Sequence, residues 1–157
     1  MKTLITNEQV ISLAFGDGEY LAPEVILAAD ITAAEHRYIL PLVGEELYKA
    51  LLEGSYATLR DDFVAPALAM AVRTTIQPSL NVRTGATGLY IPTSTRGDNA
   101  SRSATQSLHK SLRMRRQTLL RRLSSHLVAH ASEFKEYDPK RDIMLKCTIN
   151  GGFVQTL

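Results

Sequence analysis

The sequence predicts a single, mainly α-helical domain: a helical bundle with one long amphipathic helix, a small β-hairpin insertion and an extended C-terminal arm. Three observations predict it. The chain has 157 residues, the size of one domain. Apolar residues recur at helical spacing through most of residues 6–77. Residues 100–134 contain neither proline nor glycine, so nothing there interrupts a helix. We therefore divide the domain, residues 1–157, into a helical bundle (1–78), a hairpin and linker (79–99), a long helix (100–135) and an arm (136–157).

The first two helices of the bundle are indicated by their end signals. Thr6 and Gln9 form a capping-box pattern, in which each side chain satisfies a backbone amide of the other residue. Pro23 suits the first position of the second helix. Pro41 lacks an amide hydrogen, so we expect it to end or kink that helix.

The next two helices are predicted over residues 44–53 and 59–77. Pro66 lies within the apolar pattern of the fourth helix, and the helix proper is expected to begin either at residue 59 or at this proline. Pro78 is expected to end the fourth helix, because it cannot donate the hydrogen bond that would continue the ladder.

Residues 80–91 have the pattern of a β-hairpin. The alternating run 80–84 and the apolar run 89–91 enclose a glycine-bearing turn at 85–88. We expect Leu89, Tyr90 and Ile91 to contact a partner. The polar segment 92–99 is predicted to be a linker.

The long helix has a narrow apolar stripe. At about 100° per residue, Leu112, Leu119, Leu123 and Leu127 fall within an arc of roughly 80°. About 35 residues at 1.5 Å each span roughly 52 Å, against a diameter of about 40 Å for a domain of this size. The helix is therefore either kinked or long enough to contact a neighbouring molecule.

The C-terminal segment, from about residue 136, is predicted to leave the helix at Asp138–Pro139. Residues 143–145 and 147–149 favour β structure, and 150–152 favour a turn. The segment either folds back as a strand or docks as an arm on another subunit. The residues expected to dock are Ile143, Leu145, Ile149, Phe153 and Val154.

Charge is distributed unevenly along the chain. Residues 1–62 hold eleven acidic and four basic residues, whereas residues 99–132 hold seven basic residues and no acidic one. Three interpretations stay open for the basic helix: a solvated face, a face that pairs with the acidic half of the same or a neighbouring subunit, or a contact with the DNA backbone. The residues expected at a subunit or DNA interface are Lys110, Arg113, Arg115, Arg116, Arg121 and Arg122.

Arg116 differs from the other basic residues because it lies within the apolar stripe. A guanidinium in such a place needs a compensating partner when it is buried. We expect either a buried carboxylate beside Arg116 or an end of the buried part of the helix at this position.

The sequence carries no motif of an enzyme, so we predict no catalytic residue and no cofactor. Phosphate-binding glycine loops and nucleophile elbows are both missing from the sequence. His126 and His130 are four residues apart, as two metal ligands on a helix would be, but packed or interfacial histidines are the favoured interpretation and we predict no metal. A metal enzyme that uses this pair remains the weakest hypothesis.

The predicted compartment follows from the single cysteine and the hydropathy. Cys147 is the only cysteine, so no intramolecular disulfide forms, which suits a reducing compartment or a virus particle assembled in one. The N-terminal sequence has no long apolar run typical of a signal peptide. No stretch approaches 18 apolar residues, so we expect no membrane contact.

The segment from Ala34 to Tyr48 (AEHRYILPLVGEELY) resembles a helix–proline–glycine–helix signature of small proteins from tailed phages and prophages of Bacteroides-type hosts. Residues 66–69 and 78–82 continue the similarity. So do the hairpin after Gly88, the single long helix and the Gly-Gly-Phe tail. In the order of its elements the chain is similar to the gp6-like head–tail connector (adaptor) family.

This resemblance implies a structural virion protein. Its subunits would form a ring, commonly a dodecamer, beneath the portal, and the ring would keep a channel for DNA. The hairpin would contact a neighbouring ring, and the C-terminal segment would reach a portal, tail or neck protein. Synthesis would take place in the host bacterial cytoplasm. The alternatives are another neck or tail-completion protein, or a DNA-binding module that uses residues 102–122.

Overall fold

The fold is mainly α-helical, which confirms the predicted class. It is seen in a computed structural model that describes residues 2–16, 19, 21–85, 88–90, 101–146, 148–150 and 153–155. The order of its helices and strands is the following: α1 (Asn7–Ala14), α2 (Ala28–Ala34), α3 (Leu40–Val43), α4 (Glu45–Glu53), α5 (Ala57–Leu59), α6 (Ala65–Asn81), β1 (Arg83–Gly85), β2 (Gly88–Tyr90), α7 (Arg102–Ala129), β3 (Thr148–Asn150) and β4 (Phe153–Gln155).

The start of α1 confirms the predicted capping box. The Gln9 amide donates to the Thr6 hydroxyl, and the Gln9 side chain accepts from the Thr6 amide at 2.9 Å. Pro23, however, does not begin the second helix. It begins a 3₁₀ turn, Pro23–Val25, and α2 starts only at Ala28. The reason is local: the carboxylate of Asp30 accepts the Leu27 amide at 3.1 Å and so caps the helix at that point.

Proline 41 does not end the helix either. A π turn, Glu35–Ile39, joins α2 to α3, and the combined rod continues to Gly44, which has a φ of +82°. In the π turn the amide of Leu40 bonds to the carbonyl of Glu35, five residues back instead of four. The wider turn lies immediately before the proline, whose ring would otherwise press on the preceding helical turn.

The same arrangement recurs in the fourth predicted helix. A second π turn, Arg60–Val64, joins α5 to α6, and Pro66 follows it at the same distance as Pro41 follows the first. The helix thus starts before Pro66 and passes through it. Pro78 also lies inside α6, which continues to Asn81, so the prediction that Pro78 ends the helix was wrong. In the last turn only one hydrogen bond is lost, and the Val82 amide still bonds to the Pro78 carbonyl at 3.1 Å.

Helix α6 is the centre of the core. It contacts α1, α2 and α7, and every residue from Ala67 to Val72 is buried. Alanine at positions 65, 67, 69 and 71 leaves room for neighbouring helices on several sides.

Helix α7 is shorter than predicted. It has 28 residues, begins after the N-cap Ser101 and ends at Ala129, not near residue 134. Its length is therefore roughly 42 Å, close to the diameter expected for the domain. Length alone no longer requires a contact with a neighbour. Its buried apolar residues are Leu112, Leu120, Leu123 and Leu127.

The segment after α7 belongs to the core up to residue 142, and this corrects the prediction of an arm from residue 136. Phe134 and Tyr137 are buried. Asp142 is completely buried, and its carboxylate accepts hydrogen bonds from the Ser124 hydroxyl (2.6 Å), the Tyr137 hydroxyl (2.8 Å) and the Met144 amide (2.8 Å). Residues 143–145 form a 3₁₀ turn instead of the predicted β run, because Asp142 caps that turn.

The strands form two short antiparallel pairs. In the first, Arg83 is opposite Tyr90 and Gly85 is opposite Gly88. In the second, Thr148 is opposite Gln155 and Asn150 is opposite Phe153. Ile91 and the predicted linker 92–99 lie outside the described residues, as do the side chains of Leu89, Tyr90, Ile149, Phe153 and Val154.

Candidate functional site

The solvent face of α7 carries most of the predicted basic residues. The exposed members are Lys110, Arg113, Arg115, Arg121 and Arg122. At about 100° per residue, Lys110 and Arg121 lie on one flank of this face, and Arg115 and Arg122 lie on the other, roughly 120° away. We call it the basic face.

Between the two flanks the basic face is lined by short or apolar side chains. Ser107, Ser111, Met114 and Thr118 line a shallow groove along the helix. Met114 is 61% exposed. The centre of the face thus offers hydroxyl groups and one flexible apolar side chain between two rows of positive charge.

The basic face forms no salt bridge with the acidic half in the described part of the chain. Among the described residues, the salt bridges are Arg60–Asp61, Arg73–Glu19 and Arg141–Asp138. None of them includes a residue of the basic face. Arg122 instead lies over the ring of Phe63, with its guanidinium carbon 4.6 Å from the ring centroid.

The acidic half likewise has exposed carboxylates outside these salt bridges. Glu45, Glu46 and Glu53 are exposed on α4 and belong to none of the three pairs. Within the part of the chain that the structure describes, no salt bridge joins the two charged regions, although the charge of Arg115 reaches Glu19.

Arg116 has neither of the two environments that its sequence position suggested. It is half-buried, and its guanidinium lies 4.5 Å from the ring centroid of Tyr38 and donates to the Tyr38 hydroxyl at 3.0 Å. An aromatic ring and its hydroxyl take the place of the expected carboxylate. Arg116 thus fastens α7 to the rod of α2 and α3 and is not part of the basic face.

A different arginine, Arg73, has the carboxylate partner. It is 5% exposed, donates to both carboxylate oxygens of Glu19 and to the Ala14 carbonyl, and lies over the ring of Phe15. Partial burial acts to raise the pKa of the Glu19 carboxyl, but hydrogen bonds from Arg73 and Gly16, aided by the positive charges of Arg73 and Arg115, hold that pKa below its ordinary value. No local sequence pattern indicates this pair, because its members are 54 residues apart.

The two histidines at the end of α7 are packed against aromatic rings. His126 stacks on Phe63 with ring centroids 3.9 Å apart, and the His130 ring is 4.3 Å from that of His126. Burial, followed by the nearby positive charge of His130 and Arg122, lowers the pKa of His126 despite the opposing effect of Glu133. No group of three or more metal-ligand side chains occurs in the described part of the chain.

The 3₁₀ turn Ile143–Leu145, which we call the tail turn, exposes two of the predicted docking residues. Ile143 is 51% and Leu145 is 41% exposed, whereas Met144 between them packs on the core. The tail turn lies against α3 and α7.

A second apolar surface was missed by the sequence analysis. A cleft of about 530 Å³ opens between the start of α2 and the end of α6, and its apolar lining consists of Val25, Leu27, Ile76 and Leu80. Asp30, Thr75 and Ser79 complete the lining. We call it the α2–α6 cleft. Its two sides are about 50 residues apart in sequence, so no local sequence pattern predicts it. The one signal is that Val25 and Leu27 are apolar and exposed and lie outside any helical stripe.

Two comparisons with known proteins are without a match: no curated protein and no solved structure is significantly similar to the chain. Every helix in the described residues is too short or too polar to cross a membrane. A model of a protein family of unknown function, DUF6712, matches residues 27–143. That match covers α2 to α7 and the buried segment that follows α7, which is well over half of the sequence. The chain therefore belongs to the DUF6712 family.

Proposed function

We propose that this chain is a structural, non-catalytic subunit of a ring that joins the portal of a phage capsid to its tail. The ring keeps a channel for DNA, and its site of action is the head–tail junction of the virion. The proposal rests on the resemblance of residues 34–48 to connector proteins and on one structural observation, the separation of charge.

The observation that carries the proposal is that, in the described residues, no salt bridge joins the basic face to the acidic half, and both keep exposed charged side chains. Exposed charges of opposite sign on two regions of one molecule attract the opposite regions of other copies. When the contact joins two different surfaces, it repeats from copy to copy and closes into a ring if the rotation allows. A charged contact of this kind sets orientation and association rate more than affinity.

The test is the mass of the protein by light scattering, alone and mixed with the portal ring of the same phage or prophage. We expect a closed oligomer in at least one sample, and its yield should fall as salt screens the charges, over a Debye length of about 8 Å at physiological ionic strength. A monomer in both samples, at every salt concentration, contradicts the proposal.

A pair of variants locates the contact. Arg113→Glu with Arg121→Glu reverses two charges of the basic face and should reduce the oligomer. Lys49→Glu with Lys2→Glu makes the same change of net charge on two exposed lysines of the acidic half, where it adds to the negative charge, and should leave the oligomer in place or increase it.

The finer parts of the proposal concern the strand pairs. We propose that β1 and β2, which pair in the described backbone, are the hairpin insertion that contacts a neighbouring ring. The C-terminal segment that follows the tail turn is proposed to reach a portal, tail or neck protein. Deleting residues 83–90 should then weaken binding to the portal ring more than it weakens contact between copies.

A second candidate function is binding of duplex DNA, favoured by the two rows of basic side chains on α7. Lysine and arginine on both flanks of one helix can reach phosphates on either side of it, with serine and threonine hydroxyls between them. Such binding is independent of sequence and weakens steeply with salt: contacts to about five phosphates predict a slope of roughly −4 to −5 in log K against log salt. A chain that ignores duplex DNA at low salt excludes this candidate.

A further inference from the structure

We infer that the α2–α6 cleft of one molecule receives the tail turn of a second copy of this chain. The inference deepens the proposed function, on which it rests, because it identifies the short-range contact between neighbouring subunits. Its support comes from the shape and chemistry of the two surfaces and from their positions in the fold.

The cleft has the chemistry of a site for apolar side chains. Leu27 is 60% and Val25 is 38% exposed at its rim, and Ile76 and Leu80 form its floor. Apolar side chains that remain this exposed at the mouth of a cleft mark a surface that another molecule covers.

The tail turn has the complementary form. Ile143 and Leu145 project outward, while Asp142 beside them is fixed by the hydroxyls of Ser124 and Tyr137. The turn is thus already in a single conformation before it meets a partner. A preorganised segment loses little conformational entropy on docking.

The tail turn cannot fill the cleft of its own molecule, because the two surfaces lie at opposite ends of one rod. The tail turn contacts α3, whereas the cleft is formed at Asp30, near the start of α2. From Asp30 to Leu42 the rod rises by roughly 18 Å, at about 1.5 Å per residue. The partner that brings the turn to the cleft must be another molecule.

The charges beside the two surfaces are opposite in sign. Glu24 is exposed next to the cleft, and Asp30 lines it. Lys140 and Lys146 are exposed on either side of the tail turn. This complementarity favours a second copy over an unrelated apolar segment and gives the docked turn a direction.

The contact joins two different surfaces, so it leaves one free cleft and one free turn on every pair of molecules. Each free surface can bind a further copy, and closure gives a ring. The geometry of the apolar contact therefore agrees with the assembly proposed from the charges.

Two variants test the inference, one for each surface. Leu27→Asp places a charge in the cleft, and Leu145→Asp places one on the tail turn. Both residues are exposed, so the monomer should remain folded, which circular dichroism verifies. Leu13→Asp, at an exposed leucine outside both surfaces, is the matched control. Masses are measured by light scattering over a range of concentrations, alone and with the portal ring.

We expect each of the two variants to remain monomeric under conditions in which the wild-type and control proteins form oligomers. A mixture of the two variants still contains one intact cleft and one intact turn, so it should form a dimer and nothing larger. A mixture that stays monomeric overturns the inference, and so do variants that assemble like the wild type.

The mass of the wild-type protein distinguishes a failure of this inference from a failure of the proposed function. If the wild-type protein assembles and the variants assemble equally well, the inference is wrong and the proposed function stands. If it remains monomeric in every sample, both are wrong.

Discussion

The hydroxyl of Ser124, in α7, donates a hydrogen bond of 2.6 Å to the carboxylate of Asp142, which has no exposed surface. The same carboxylate accepts from Tyr137, so one buried acid connects the long helix to the segment that follows it. A buried carboxylate with several donors is costly to remove, because the donors are then left without partners.

The first prediction concerns this acid. Asp142→Ala should lower the free energy of unfolding by about 2–4 kcal/mol, because two hydroxyls and one amide lose their acceptor. Urea denaturation followed by circular dichroism measures the change. Asp138→Ala, at an exposed aspartate four residues earlier that pairs with Arg141 and accepts the Lys140 amide at the surface, should change it by about 1 kcal/mol or less.

Truncation separates the core from the tail. Deleting residues 143–157 should weaken assembly while leaving the monomer folded, because Asp142, Tyr137 and Ser124 all remain. Deleting residues 137–157 removes two of these three partners and should destabilise the monomer. Thermal melts and light scattering of both truncations distinguish the outcomes. If the shorter deletion already unfolds the monomer, the tail turn belongs to the core and is not a docking element.

Two buried tyrosines predict a loss of stability at alkaline pH. Burial, followed by hydrogen bonding to a carboxylate, raises the pKa of Tyr48 beside Glu35 and of Tyr137 beside Asp142. A raised pKa in the folded state means that stability is complete below the ordinary value of about 10 and falls as the pH rises above it.

The measurement is the free energy of unfolding by urea between pH 8 and about pH 11. We expect a decline that begins near pH 10 in the wild-type protein and is less steep in Tyr48→Phe and Tyr137→Phe. Equal slopes in the wild-type protein and both variants would falsify this account.

The lowered pKa of His126 predicts a loss of stability at acid pH. Its pKa is lowered in the fold, so the unfolded chain binds its proton more readily. The contribution of His126 to the free energy of unfolding is therefore complete above the ordinary histidine pKa of about 6.5. It is lost as the pH falls below that value.

His126→Phe keeps a ring stacked on Phe63 and removes the titrating group. The dependence of unfolding free energy on pH between 7 and about 5.5 should be weaker in this variant than in the wild-type protein. If the two slopes agree, the packing of His126 does not oppose its protonation.

The sequence was most informative where local chemistry decides the structure. The capping box at Thr6 and the end of α4 at Glu53, before Gly54, follow from residues within one turn of each other. The basic face also follows from sequence, because an acid-free stretch of an amphipathic helix exposes its charges in any fold.

The predictions failed at Pro23, which begins a 3₁₀ turn, and at Pro78, which lies inside α6. At Pro66 the structure has the earlier of the two expected helix starts. Other features depend on distant residues. Asp142 was not recognised as a buried acid, since its partner Ser124 is 18 residues away. The α2–α6 cleft is formed by the packing of two helices against each other, and the apolar periodicity of either helix does not predict that packing.

The two π turns have a consequence for how relatives of this chain should be aligned. Each turn holds about one residue more than an α-helical turn, so removing one residue from it would restore a regular helix and leave the faces of the downstream residues nearly unchanged. Such a deletion between residues 60 and 64 would keep the same side of α6 towards α1 and α7. Gaps placed at these two segments therefore preserve the helical phase, whereas a one-residue gap within the regular part of α6 would rotate everything downstream by about 100°.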